Sequence, residues 1–149
     1  MFKEGNLYYF ADFKFNNGDD PKNKYFIVLK ETSDSIIIGT LPTRTNKVPS
    51  FVTIPHGCIN INERMYNCYL FQQQKSICKN GFCFDLPTFI YGDDIDYYSK
   101  EKMEKDYPAD GNHFKHEGEL TDQEYKNIIE CLCKSNAVRK GIQRKLLSK

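Results

Sequence analysis

A chain of 149 residues, 40% hydrophobic, with 11 Phe and 10 Tyr but no Trp, is long enough to bury a core and is expected to fold as one domain, 1–149, without help from disulfides or a metal. Its formal net charge of +1 supplies no whole-protein field for a polyanion, so any nucleic-acid site has to be local. No apolar run approaches the roughly 20 residues that cross a bilayer, and the start of the chain lacks the pattern of a signal peptide. A cytoplasmic protein with no membrane contact is therefore expected.

In chain order, Leu7, Tyr9, Ala11, Phe13 and Phe15 alternate with Tyr8, Phe10, Asp12 and Lys14, the period of a strand with one drier face. The polar loop 16–22 then breaks the pattern with turn formers. Residues 25–29 and 35–38 are short apolar runs rich in β-branched and aromatic side chains, which predicts buried strands. A loop carrying Lys22 and Lys24 is thus anchored between rigid strands, close to the Leu41-Pro42-Thr43 turn. A basic connection with Arg44 and Lys47 follows, then strands at 51–54 and 58–61, with Pro49 confining the first to an edge or a strand start. Further strands are expected at 66–71, 75–78 and 82–84, the last two joined by an Asn80-Gly81 hairpin. Six or seven short strands at this spacing favour a small barrel over an open sheet.

Helices come late. Residues 94–107 begin acidic, carry lysines further on and end before Pro108, which predicts a surface helix within an acidic insertion. Thr121-Asp122-Gln123-Glu124 has the form of a capping box, and Tyr125, Ile128, Ile129 and Leu132 continue it at helical spacing. Val138, Ile142 and Leu146 lie on one side of a final segment that holds Lys134, Arg139, Lys140, Arg144, Lys145 and Lys149 and no acid. That segment is read as a solvated last helix.

The six cysteines are expected to be free thiols in a packed interior. They lack the paired spacing of a zinc site, so no metal and no cofactor is expected. Cys131 and Cys133, two apart on a helix, point away from each other. His56 has a suitable acid–base pKa but sits in a Pro-His-Gly turn, where a structural role is the simpler reading. His113 and His116 fall in a late polar connection.

Taken together these segments resemble the PemK/MazF toxins, small ribosome-independent endoribonucleases of bacterial toxin–antitoxin systems. Gly5-Asn6-Leu7-Tyr8 stands where the family opens with Gly-Asp-hydrophobic-Tyr. Lys24-Tyr25 before Phe26-Ile27-Val28-Leu29 stands where its mobile loop ends in Arg-Pro before a hydrophobic strand, and Leu41-Pro42-Thr43 where a strand ends in Ile-Thr. Val48 to Ile54 matches its Leu-Pro-Thr-x-Val-x-Ile segment, and Gln72 to Ile77 echoes its Glu-Gln-Ile-Arg-Thr-Ile strand. The C-terminal helix matches residues 120–133. Each match alone is weak, but their order and spacing agree over most of the chain.

The resemblance implies a mainly β, SH3-like small barrel with an additional acidic helix at about 93–107 and C-terminal helices from about 121. It further implies a homodimer that cleaves single-stranded RNA without metal and is inhibited by a cognate antitoxin. Carried over by position, Lys24 and Thr43 are the catalytic pair, with Lys24 and Lys75 standing where the family has Arg. Lys22, Arg44, Lys47 and Lys75 are the candidate phosphate contacts of the RNA groove. Tyr8, Phe15 and Tyr25 are conceivable stacking platforms.

Metal-free cleavage uses the 2′-hydroxyl as nucleophile and needs a cation beside the anionic phosphorane. Lys24 supplies that cation as a point charge, without the bidentate fork of Arg. Thr43 would hold a phosphate oxygen or the 2′-hydroxyl, and the general base stays unassigned. An alternative is a catalytically impaired relative that keeps the fold to bind RNA or protein. A third is an interaction module that uses the acidic stretch 93–110 as its partner surface.

Overall fold

The structure, a computed structural model, describes residues 2–16, 18, 20, 22–42, 56–109 and 112–148. The expected strand at 51–54 and the positions Thr43, Arg44 and Lys47 lie outside them. The described chain is mainly β. Its strands are Asn6–Phe13 (β1), Lys22–Glu31 (β2), Ser35–Thr40 (β3), Gly57–Ile61 (β4), Tyr66–Phe71 (β5), Thr88–Tyr91 (β6), Asp96–Ser99 (β7) and Phe114–Glu119 (β8). Its helices are Lys100–Asp106 (α1), Asp122–Cys133 (α2) and Lys140–Leu147 (α3). All strand pairing is antiparallel, in a five-stranded sheet ordered β7-β3-β2-β1-β8 and a three-stranded sheet ordered β4-β5-β6.

The central strands are buried on both faces, which is why β2 and β3 read as unbroken apolar runs rather than alternating ones. Ile27, Leu29 and Ile37 face a core completed by Tyr69, Phe71 and the apolar sides of α2 and α3. Phe26, Val28, Ile36 and Ile38 face the other way, into an aromatic cluster with Phe2, Tyr8, Phe10 and Phe13, closed by Met103 and Tyr107 from α1 and its C-cap. The expected single dry face of β1 is therefore corrected. Phe10 is fully buried, and a bulge between Phe10 and Phe13, with Asp12 at φ 52°, brings Phe13 onto the same side. A bulge adds one residue and so reverses the period-two pattern beyond it.

The expected helix over 94–107 begins instead as a strand, Asp96–Ser99. Tyr97 and Tyr98 pair with Ile37 and Ile36 of β3 as β7, and α1 starts only at Lys100, where the Ser99 side chain accepts from the Lys102 N–H. Aromatic residues beside a sheet edge favour pairing, and a Ser N-cap sets the helix start. Met103 and Tyr107 of the acidic stretch belong to the core. The expected strands at 75–78 and 82–84 are corrected as well. The chain turns there, with hydrogen bonds from Gly81 N–H to Cys78 O (2.9 Å) and from Ile77 N–H to Phe82 O (2.9 Å), and Cys78 makes one isolated bridge to Leu120. β6 and β8 were not expected. β8 is a polar edge strand drawn onto β1, where Tyr9 faces Lys115 and Phe10 faces Phe114.

α2 begins as its capping sequence predicts, with Thr121 Oγ1 accepting from Glu124 N–H at 3.2 Å. The free-thiol expectation fails for one pair. Cys58 on β4 and Cys131 on α2 form a disulfide across 73 residues, with Cα atoms 5.5 Å apart, while Cys68, Cys78, Cys83 and Cys133 remain thiols. The helix lays Cys131 against β4, a tertiary neighbour that cysteine spacing does not reveal. No described helix is long and apolar enough to cross a membrane.

Tyr125, also on α2, donates to Leu29 O at 2.6 Å, and burial pushes its phenol up to about 12. A folded-state pKa above the unfolded value of about 10 contributes stability in full below pH ~10 and loses it as pH rises toward 12. Burial raises the Tyr69 phenol in the same direction, helped by the Glu124 carboxylate. A phenolate absorbance titration followed beside circular dichroism is therefore expected to show late tyrosines whose ionisation coincides with alkaline unfolding. Ionisation of all 10 tyrosines near their ordinary value, with the fold intact, would contradict this.

Candidate functional site

One cleft, with a volume of about 450 Å³, lies at the end of the five-stranded sheet. Lys22 and Lys24 are two apart on β2 and so share a side, and both line the cleft. Thr40, opposite Phe26 at the end of β3, and Pro42 form its floor at the point where the chain departs toward position 43. The facing wall comes from the 3₁₀ turn Gly92–Asp94 and from β7, which supply Asp93, Asp94, Ile95, Asp96 and Tyr98. Phe15, Asn16 and Arg139 complete the lining.

The acidic wall is held in place. Arg139 donates to Asp96 Oδ1 at 2.8 Å and to Ile95 O at 3.1 Å, and Asn16 Nδ2 donates to Tyr97 O at 2.6 Å. Burial alone would raise the Asp96 carboxyl. The Arg139 guanidinium, the Tyr97 N–H and the Asn16 amide outweigh it and hold the group below its ordinary value. The turn behind this wall depends on a close approach at Gly92, where a Cβ would lie 2.6 Å from Asn67 Oδ1 and 2.9 Å from Val138 Cγ2. Asn67 is buried and donates to Cys131 O at 3.1 Å, so it cannot swing aside cheaply. Gly92→Ala is expected to cost about 1–3 kcal/mol by overpacking, read as a lower urea midpoint at unchanged slope. An unchanged midpoint would show that the turn yields.

The cleft brings together Lys22 and Lys24. Lys75 does not join them; it is exposed in the segment after β5 and outside the lining. Among the aromatic candidates Phe15 is in the cleft, whereas Tyr8 is buried in the aromatic core and Tyr25 packs on Phe84 with ring centroids 5.1 Å apart. In the sequence Asp93, Asp94 and Asp96 read as an acidic surface and Arg139 as part of a solvated tail, yet all four line the cleft. Nothing local in the sequence indicates that these segments face β2.

His56 belongs to a second, closed cluster. Its Nδ1 accepts from Gln72 N–H at 3.1 Å, which places the ring proton on Nε2, 2.5 Å from Glu124 Oε1. Tyr69 Oη donates to the same oxygen at 2.9 Å. Glu124 is the fourth residue of the capping sequence, but its carboxylate turns toward β5 rather than back to Thr121, whose N–H is bonded to Ile77 O. The His and Glu side chains are each 11% exposed and line none of the described cavities, so the cluster fastens α2 to the three-stranded sheet. His116 bonds Asn6 Oδ1 at 2.6 Å at the surface. Among the described residues, no group of three His, Cys, Asp or Glu side chains is arranged to hold a metal ion.

No protein-family model matches this chain, and no curated protein matches it.

Proposed function

We propose that the chain is a toxin-type endoribonuclease that cleaves single-stranded RNA without a metal, on an SH3-like barrel of the PemK/MazF kind. The observation that carries this reading is the convergence of Lys22 and Lys24 with the Thr40–Pro42 end of β3 in one cleft. The resemblance pairs Lys24 with Thr43, the residue that follows Pro42. Lys24 stands beside the scissile phosphate and stabilises charge on the phosphorane, Lys22 holds a neighbouring phosphate, and Phe15 offers a face to a base. A carboxylate of the facing wall takes the 2′-hydroxyl proton, the role left without a residue at the sequence level; proton transfer of this kind is worth ~10²–10⁴-fold. The active unit is a homodimer, and a cognate antitoxin covers the groove.

The acidic wall supports a second reading, because three carboxylates opposite the lysines weaken attraction for a polyanion. In that reading the cleft binds RNA or a protein segment without cutting it. The test is to incubate the purified chain with mixed-sequence single-stranded RNA in chelator and sequence the ends. Cuts at a short recurring sequence with cyclic phosphate termini support the enzyme. Intact RNA with a folded protein supports the binding module.

A further inference from the structure

Cys58 and Cys131 differ sharply in access. Cys58 is exposed at the start of β4, whereas Cys131 is 2% exposed on the buried side of α2. The Cys58 side of the bridge is therefore the one a small thiol meets first, and thiol–disulfide exchange depends on which sulfur is attacked. The buried sulfur also has partners suited to its reduced form. Cys131 Sγ lies 3.5 Å from the Cys68 carbonyl oxygen, which a thiol S–H can donate to, and accepts from Asn67 Nδ2 at 3.5 Å. Breaking the bond consequently leaves no new orphaned polar group at Cys131. Nor does it leave α2 unattached, because Tyr69 and His56 still meet Glu124 and Asn67 still donates to Cys131 O.

We infer that Cys58 and Cys131 form a reversible thiol-modification site, in which exposed Cys58 carries the mixed disulfide with a low-molecular-weight thiol and buried Cys131 resolves it. In the forward step the thiolate of glutathione attacks Cys58 Sγ. A glutathione–Cys58 bond forms, the Cys58–Cys131 bond breaks, and its electron pair leaves on Cys131 Sγ, which takes up the proton that the incoming thiol gave up. A second glutathione attacks the adduct at the glutathione sulfur, leaving Cys58 as a thiol and releasing glutathione disulfide, so two thiols supply the two electrons. In the reverse direction Cys131 attacks Cys58 Sγ of the adduct and expels glutathione. Cys68, buried and with its thiol raised by burial, takes no part.

The test holds the full chain in glutathione buffers from oxidising to reducing, quenches in acid, labels free thiols and maps each cysteine by peptide mass. The expected result is a Cys58–Cys131 bridge at the oxidising end and two free thiols at the reducing end, with unchanged circular dichroism. Cys131→Ser, or Cys131→Ala if the first folds poorly, is expected to accumulate glutathione on Cys58. Cys58→Ser is expected to take none on Cys131. The inference is overturned if both cysteines label fully under oxidising conditions, if the adduct forms on Cys131, or if reduction unfolds the chain, which would make the bridge a structural staple.

Discussion

Lys24→Ala is expected to lower the rate of RNA cleavage by about 10²–10³-fold, the usual loss on removing one preorganised group that stabilises charge in the transition state. Lys24 lies near the start of β2, half-buried, on the wall of the cleft that Thr40 and Pro42 floor. β2 is hydrogen-bonded on both sides, facing Phe10 through Lys24 and Thr40 through Phe26. The ammonium is thus carried on a rigid strand rather than on a loop, which keeps it oriented without reorganisation at the moment of reaction. Lys24→Arg is expected to retain cleavage, because Arg offers the same charge with a fork that fits phosphate. Lys22→Ala, at the more exposed of the two lysines, is expected to weaken RNA binding and its salt dependence more than the chemical step. Single-turnover cleavage of a labelled RNA, with melting curves to verify folding, measures all three. If Lys24→Ala cuts as fast as the parent, the cleft is not the site of cleavage. If the parent cuts nothing, the binding-module reading takes its place.

Glu124→Ala is expected to destabilise the fold by about 2–6 kcal/mol, the cost of leaving two buried donors without an acceptor at about 1–3 kcal/mol each. The donors are Tyr69 Oη and the Nε2–H of His56, and both converge on Glu124 Oε1. His56 cannot turn its proton elsewhere, since Nδ1 is occupied by the Gln72 N–H. Glu124→Gln keeps a carbonyl oxygen at the same place and is expected to lose less. Tyr69→Phe removes one of the two donors, so its effect combined with Glu124→Ala should fall short of the sum. Urea unfolding of the four proteins with the disulfide intact gives the cycle. A loss below about 0.5 kcal/mol for Glu124→Ala, the scale of an ordinary surface change, would mean that water replaces the carboxylate and that the cluster does not hold α2.

How much of this was legible in the sequence varies with the range of the interactions involved. The continuous apolar runs of β2 and β3 announce strands buried on both faces, and Thr121 with the spacing of Ile128 and Leu132 announces α2, because those signals are local. The site was legible only on one side. Lys22 and Lys24 read as charges on one loop ahead of a buried strand, and the structure extends that strand back through both of them as β2, with Phe15 beside them in the cleft. The opposite wall was not legible, since Asp93, Asp94 and Asp96 reach it through the pairing of β7 with β3, and Arg139 through its bond to Asp96. β7 looked helical because acids precede lysines there, yet Ser99 marked the true helix start. β8 looked like a polar connection because an edge strand has little apolar pattern of its own.

By itself, then, the sequence determined a mainly β chain with late helices, two buried central strands, a capped α2 and a pair of lysines just ahead of the apolar run of β2. These follow from hydrophobic period, turn residues and capping, all of which act within a few residues. Tertiary structure alone decided which strands flank the sheet, that Cys58 meets Cys131, that the capping-box glutamate serves His56 and Tyr69, and that an acidic wall faces Lys24. Each of these depends on contacts between segments from 43 to 73 residues apart or more, and their partners are chosen by the packing of the whole core rather than by any local preference of the chain.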